Sequence, residues 1–173
     1  MFGLKKKAEP HYSIGSLKNM FGYLLQNRNE IIPDRLFLDQ EMTINPLVGI
    51  SHSALNKELD ALVVYYARCV YDKNGVSRED RNKAMDELFS ELVEDEVFDQ
   101  NEADKIRDHI EQRSKDYRSQ PGFSDVATSF LVTITNNLDI YRSRQGNDCA
   151  PVMKTLNKNL SKIIETDLYV KPR

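Results

Sequence analysis

The sequence has few of the residues that mark specialised classes of protein. Its 173 residues include only seven glycines and two cysteines, Cys69 and Cys149, which lie far apart in the chain. This spacing provides neither a disulfide framework nor a zinc-ligand pattern, because both need several closely spaced ligands. A Gly-rich phosphate-binding loop is absent as well. We therefore expect a protein with reduced cysteines that uses no metal and no cofactor.

Long hydrophobic runs are also missing. The longest apolar run spans residues 61–67, far short of the roughly 20 residues that a membrane-spanning helix needs. The basic stretch at residues 5–7 is followed by Ala-Glu-Pro-His, not by the apolar core of a secretory signal. The sequence therefore predicts a cytoplasmic protein that does not engage a membrane.

The composition that remains is that of an ordinary globular domain. Apolar residues make up 40% of the chain and charged residues 29%, which excludes wholesale disorder. We expect residues 1–12 to form a basic flexible tail, residues 13–167 a single helical domain, and residues 168–173 a C-terminal tail.

Apolar residues recur at helical spacing and predict an all-α bundle of about six helices. Residues 30–50 are the least regular stretch and predict a loop. The helix that follows is apolar around much of its circumference, so we place it at the centre and expect it to end at the turn that contains Gly75. The predicted helix caps and first positions are Ser13, Ser51 or Ser53, Ser77, Asp99, Ser124 and Pro151.

Residues 129–135 allow two interpretations. The run Ser-Phe-Leu-Val-Thr-Ile-Thr is rich in β-branched and aromatic residues, which is typical of a strand. The apolar spacing nevertheless continues beyond the run at a helical period, and no partner strand is apparent. We therefore favour a helix that starts at Ser124 and ends at Gly146.

Acidic residues are concentrated in the middle of the chain. Residues 72–116 contain fifteen Asp and Glu against eight Lys and Arg, a net charge of -7, whereas the whole chain has only -3. Such a patch is either a solvated face or a docking surface for a basic partner; imitation of nucleic-acid charge is a third reading. The candidate protein-binding residues are Glu91, Glu94, Asp95, Glu96, Asp99 and Glu102.

A basic stripe on the last helix supports an alternative. Lys154, Lys158 and Lys162 share one helical face and could contact nucleic-acid phosphates together with the basic tails. The same stripe could meet the acidic segment of a second copy in a homodimer. It also fits the plain solvated face of an amphipathic helix, with cations near the C-terminus.

Catalytic patterns are weak. The histidines His11, His52 and His109 have no second metal ligand at a suitable spacing. Residues 49–53 lack the second glycine of a nucleophile elbow. Residues 70–81 lack the terminal carboxylate of a calcium-binding EF-hand loop. We therefore expect a protein that is not an enzyme.

Residues 72–110 combine an Asp-Lys-Asn-Gly turn with helix starts at Ser77 and Asp99. This arrangement resembles the acidic helix-turn-helix units of TerB-like tellurite-resistance domains. The shared features are helix caps that occur in many proteins, and no family is assigned from them. The leading hypothesis is a helical adaptor or regulator that binds a partner protein through its acidic face, with a nucleic-acid-associated accessory factor as the alternative.

Overall fold

The computed structural model describes residues 9–31, 52–136 and 145–169. These ranges contain helices and no strand, which confirms the predicted all-α bundle. The helices are α1 (Ile14–Gln26), the single-turn α2 (Arg28–Ile31), α3 (His52–Lys73), α4 (Arg78–Glu94), α5 (Gln100–Arg118), α6 (Phe123–Thr135) and α7 (Gln145–Tyr169). Most of the predicted loop at residues 30–50, and Ser51, lie outside the described residues.

Helix α3 forms the centre of the bundle, as its apolar circumference predicts. It packs against α1, α2, α5, α6 and α7. Consecutive side chains from Ala61 to Val64 are fully buried, so the helix is covered on every side along this stretch. Burial of that much apolar surface is the main stabilising contribution to such a fold.

Three of the predicted helix caps are present. Ser13 accepts the backbone N–H of Ser16 at the start of α1. Ser77 accepts the N–H of Asp80 at 3.0 Å, and Asp99 accepts the N–H of Glu102 at 2.8 Å. Each cap satisfies an amide that would otherwise lack a partner in the first turn.

The start of α6 differs from the prediction. The helix begins at Phe123, one residue before the expected cap Ser124, and its N-cap is Gly122, which has no side chain to accept a hydrogen bond. Residues 129–135 are helical, so the strand interpretation is wrong. The helix closes at Asn136, a non-glycine residue with a left-handed φ of 51°.

The start of α7 also differs. The sequence predicted that Gly146 ends one helix and Pro151 begins the next, but both lie inside α7, with Pro151 at its seventh residue. Proline cannot donate the hydrogen bond of a helix interior. Cys149 and Ala150 are 1% and 7% exposed, and their burial against the bundle favours helix before the proline.

Residues at the inner end of each predicted tail contact the bundle. The N–H of His11 donates to the carbonyl of Leu168 at 2.9 Å, and the hydroxyl of Tyr12 donates to Asp80 at 3.0 Å. Helix α7 continues to Tyr169, and Leu168 is fully buried. Among the described helices, none is long and apolar enough to cross a bilayer.

Candidate functional site

The turn between α4 and α5 carries the strongest part of the acidic patch. The N–H of Glu96 donates to the carbonyl of Val93 at 3.1 Å, and the N–H of Val97 donates to the carbonyl of Leu92 at 2.9 Å. These two bonds form a Schellman motif, in which a left-handed residue satisfies the last carbonyls of a helix. Glu96 is that residue, with a φ of 57°. We call residues 94–99 the acidic turn.

All six candidate protein-binding residues are exposed. Two of them also have contacts within the chain: Glu91 pairs with Lys18 of α1, and Asp99 caps α5. The structure thus places these carboxylates where a partner could reach them. Whether they bind one stays a prediction.

An apolar pocket opens beside the acidic turn, and the sequence did not predict it. It has a volume of about 250 Å³ and lies where α1, α4 and α5 meet. Leu25, Leu92, Phe98 and Ile106 are among its walls. Val97 is also part of the lining and is 56% exposed, so the apolar surface continues outward into the acidic turn.

Two charged residues belong to the lining of this apolar pocket. Arg28 Nε lies 3.2 Å from Asp60 Oδ1, but neither buried atom makes a hydrogen bond, because the approach is too poorly aligned. Burial raises the pKa of Asp60 to about 6, against the opposing effects of Arg28 and His109. The pocket therefore offers a carboxylate with unused hydrogen-bonding capacity within largely apolar walls.

A second cluster is built around Glu58 of α3, which is 1% exposed. Its Oε1 accepts a hydrogen bond from Arg113 Nε at 2.6 Å and another from the hydroxyl of Tyr117. Its Oε2 lies 3.1 Å from His109 Nε2. The three partners occupy successive turns on one face of α5.

The Glu58 cluster also reaches a third helix. Arg113 Nη2 lies 3.3 Å from both the carbonyl and the hydroxyl oxygen of Ser129 in α6. Burial alone would raise the pKa of Glu58, but the hydrogen bonds from His109 and Tyr117 and the charge of Arg113 outweigh it and lower the pKa. An ionised carboxylate with this many donors joins α3, α5 and α6.

We interpret the Glu58 cluster as a structural element. Both oxygens of its carboxylate already interact with side chains of α5. His109 has no carboxylate three or four residues away in its own helix, so its partner from α3 could not be found from local spacing. Within the described residues, no group of three His, Cys, Asp or Glu side chains is arranged to hold a metal ion.

The remaining candidates lie elsewhere. Lys154, Lys158 and Lys162 are exposed along α7, whose opposite face is buried in the bundle. Of the two cysteines, Cys149 is 1% exposed and Cys69 is half-buried. Burial is also the main cause that raises the pKa of the Cys69 thiol, which disfavours the reactive thiolate.

Comparisons with known protein families, with curated proteins and with solved structures give no match to this chain.

Proposed function

We propose that this protein is a helical adaptor or regulator without catalytic activity, which binds a basic amphipathic helix of a partner protein. The binding site is the apolar pocket together with the acidic turn beside it. The observation that carries the proposal is the coincidence of the two features in one place. An exposed apolar surface with a carboxylate rim is complementary to a helix that has one apolar and one cationic face.

The size of the apolar pocket favours an inserted side chain over a small-molecule ligand. Its volume of about 250 Å³ falls below the approximately 300–1,000 Å³ that is usual for ligand pockets. One or two side chains of a docked helix would fill it. Helix-in-groove recognition uses such anchors at one-turn intervals along the helix.

Asp60 favours a partner helix that places a cation in the apolar pocket. Its Oδ1 lies 3.2 Å from Arg28 Nε but lacks an aligned hydrogen-bond donor, and a lysine on the partner could lay its apolar stem along Leu92 and Phe98 and bring its ammonium group towards this carboxylate. The carboxylates of the acidic turn would speed the encounter with the partner and set the orientation of its helix.

The test uses a fluorescent model helix with a leucine face and a lysine face. Its binding would be followed by anisotropy at low and at physiological salt. The variants are the charge reversal of Glu91, Glu94, Asp95 and Glu96 to lysine and, separately, Val97→Ser. We expect each variant to weaken binding by about tenfold or more, and salt to weaken wild-type binding.

Two controls separate docking from non-specific charge attraction. A scrambled peptide with the same composition has no continuous apolar face and should bind far more weakly. The reversal Glu79→Lys changes an exposed carboxylate away from the apolar pocket and should leave binding unchanged. Equal binding of the scrambled peptide, or no effect of Val97→Ser, would contradict the proposal.

The alternative function is that of a nucleic-acid-associated accessory factor. The observation that favours it is the exposure of Lys154, Lys158 and Lys162 along one face of α7. Replacing the three lysines with glutamine should then weaken binding to a duplex DNA probe and lower its salt dependence. Absence of DNA binding by the wild-type protein at low salt would remove this alternative.

A further inference from the structure

A second pocket lies at the opposite end of the α4–α5 pair from the acidic turn. It is a small, partly enclosed space of about 20 Å³ between α3, α4 and α5. Five of its lining side chains are cationic, and one, Glu111, is a carboxylate. We call it the basic pocket. Its lining is opposite in charge to the acidic turn.

Two polar atoms of the basic pocket are buried and lack a hydrogen bond. Arg68 is 5% exposed and Ser114 is 4% exposed. Arg68 Nε and Ser114 Oγ have no partner in the described structure. A buried donor left without a partner destabilises the folded protein relative to one that is satisfied, so a group that accepts from both atoms would be bound favourably.

Internal ion pairs neutralise only part of the positive charge. Arg68 pairs with Glu111, and Arg81 pairs with Asp72 and also donates to the carbonyl of Arg68 at 2.8 Å. Both of these guanidinium groups are therefore held in place by the fold. They form a fixed cationic wall and not a flexible surface charge.

Three further cations of the basic pocket have no ion pair within the described part of the chain. Arg78 belongs to the first turn of α4, and Lys115 and Arg118 to the last turn of α5. All three are exposed. They can therefore move onto a bound anion, while Arg68 and Ser114 hold it from inside.

The geometry points to a binding site for a small tetrahedral oxyanion, inorganic phosphate or the phosphoryl group of a small phosphomonoester. Such an anion has several acceptor oxygens that can receive hydrogen bonds from Arg68 Nε and Ser114 Oγ at once. Its negative charge matches the unpaired cations at the entrance. The enclosed space of about 20 Å³ admits about one oxygen atom, so one phosphoryl oxygen would enter it while the rest of the anion lies among the cations at the entrance.

Calorimetry and thermal unfolding with inorganic phosphate test this site, with chloride at matched ionic strength as the reference. We expect saturable binding and a rise in Tm that depends on the phosphate concentration. Lys115→Gln and Arg118→Gln should each weaken phosphate binding by about tenfold, because each removes a charge-assisted hydrogen bond. Both side chains are exposed, so the variants should fold.

Ser114→Ala tests the site through two quantities, the Tm of the phosphate-free protein and the affinity for phosphate. It removes a buried hydroxyl that lacks a partner, so the variant without phosphate should unfold at the same Tm as the wild type or a higher one. It should nevertheless bind phosphate more weakly. Arg107→Gln, which alters an exposed cation paired with Asp86 outside the basic pocket, should leave phosphate binding unchanged.

Binding of phenyl phosphate is measured beside that of inorganic phosphate, to show whether the site prefers a phosphomonoester or the free ion. Tighter binding of either one supports the site and identifies its source. If phosphate raises Tm no more than chloride does, or if all three pocket variants bind phosphate as tightly as the wild type, the site does not exist. The docking test depends on different residues, so either proposal can fail without the other.

Discussion

At the scale of single residues, Glu96 occupies a position that usually belongs to glycine. Gly75 and Glu96 play the same part at the ends of α3 and α4, with φ values of 80° and 57°. The left-handed region costs a residue with a Cβ about 1 kcal/mol or more. Glu96 adopts this conformation despite its cost in free energy. The residue after it is the exposed Val97.

Glu96→Gly should therefore stabilise the protein. We expect its free energy of unfolding in urea to rise by about 0.5–1 kcal/mol, because glycine adopts a positive φ without strain. The matched change Gly75→Ala should lower it by a similar amount. No atom lies within 4 Å of a Cβ at position 75, so that loss would come from the backbone alone. A neutral Glu96→Gly would contradict this account of the turn.

Asp60 gives a prediction about pH. In the unfolded chain its pKa is near 3.8, and in the folded protein it is about 6. As the pH rises from about 4 to 6, the unfolded chain releases this proton while the folded protein retains it, so stability falls. The full penalty, about 3 kcal/mol at most, is present above pH 6.

Asp60→Asn should remove that slope. We expect the variant to be more stable than the wild type at pH 7, by up to about 3 kcal/mol, and the difference to vanish near pH 4. Urea unfolding at a series of pH values measures both quantities. If the variant loses stability between pH 4 and 6 as the wild type does, another group titrates there.

At the scale of the helices, the Glu58 cluster joins α3 to α5 and α6. Glu58→Ala should lower the free energy of unfolding by about 3–5 kcal/mol, because it removes the buried acceptor of Arg113 and Tyr117 and leaves Arg113 only the more exposed Asp116. Glu58→Gln keeps a hydrogen-bond acceptor for Tyr117 and should cost less. Urea unfolding at pH 7 compares the two, and equal losses would contradict the role of the acceptor.

The loss of folding stability at low pH also tests the Glu58 cluster. The pKa of Glu58 in the folded protein lies below its usual value of 4.5. Its contribution is therefore complete above about pH 4.5 and disappears as the pH falls through the lower folded value. Thermal unfolding of Glu58→Gln should lack this acid loss. If Glu58→Ala does not fold, Tyr117→Phe removes one hydrogen bond to Glu58 and should cost about 1–3 kcal/mol.

Local features of the helices could be predicted from the sequence, and contacts between helices could not. The caps at Ser13, Ser77 and Asp99 depend on atoms only three residues apart, so a short pattern defines them. Ser124 fits the same pattern, but the chain begins α6 one residue earlier. Pro151 fits a first position equally well, but burial of the preceding residues extends α7 past it.

The functional surfaces could be predicted only in part, for the same reason. The acidic turn is continuous in sequence and was found. The apolar pocket takes residues from five helices, and the pairing of Arg28 with Asp60 depends on how α2 meets α3. The basic pocket was hidden by a count that gave residues 72–116 a net charge of -7. That total adds the carboxylates of the acidic turn to cations of the basic pocket, so it conceals the positive charge at the second end.

At the scale of the whole molecule, α4 and α5 form a hairpin with separated charge. The acidic turn joins them at one end, and Arg81 and Ser114 line the basic pocket at the other. Arg81 and Glu94 are thirteen positions apart in α4, a distance of about 20 Å at 1.5 Å per residue. A basic partner and a phosphoryl group could therefore occupy the hairpin at the same time without contact.

The proline inside α7 has a consequence for the order in which this bundle opens. The backbone carbonyl of Asn147 cannot receive the usual helical hydrogen bond from Pro151, so the first six residues of α7 are tied less firmly to the rest. Local unfolding should detach them at a lower free energy than global unfolding requires. Each such event would expose the thiol of Cys149. The rate at which a disulfide reagent labels this thiol would therefore measure how often the segment detaches.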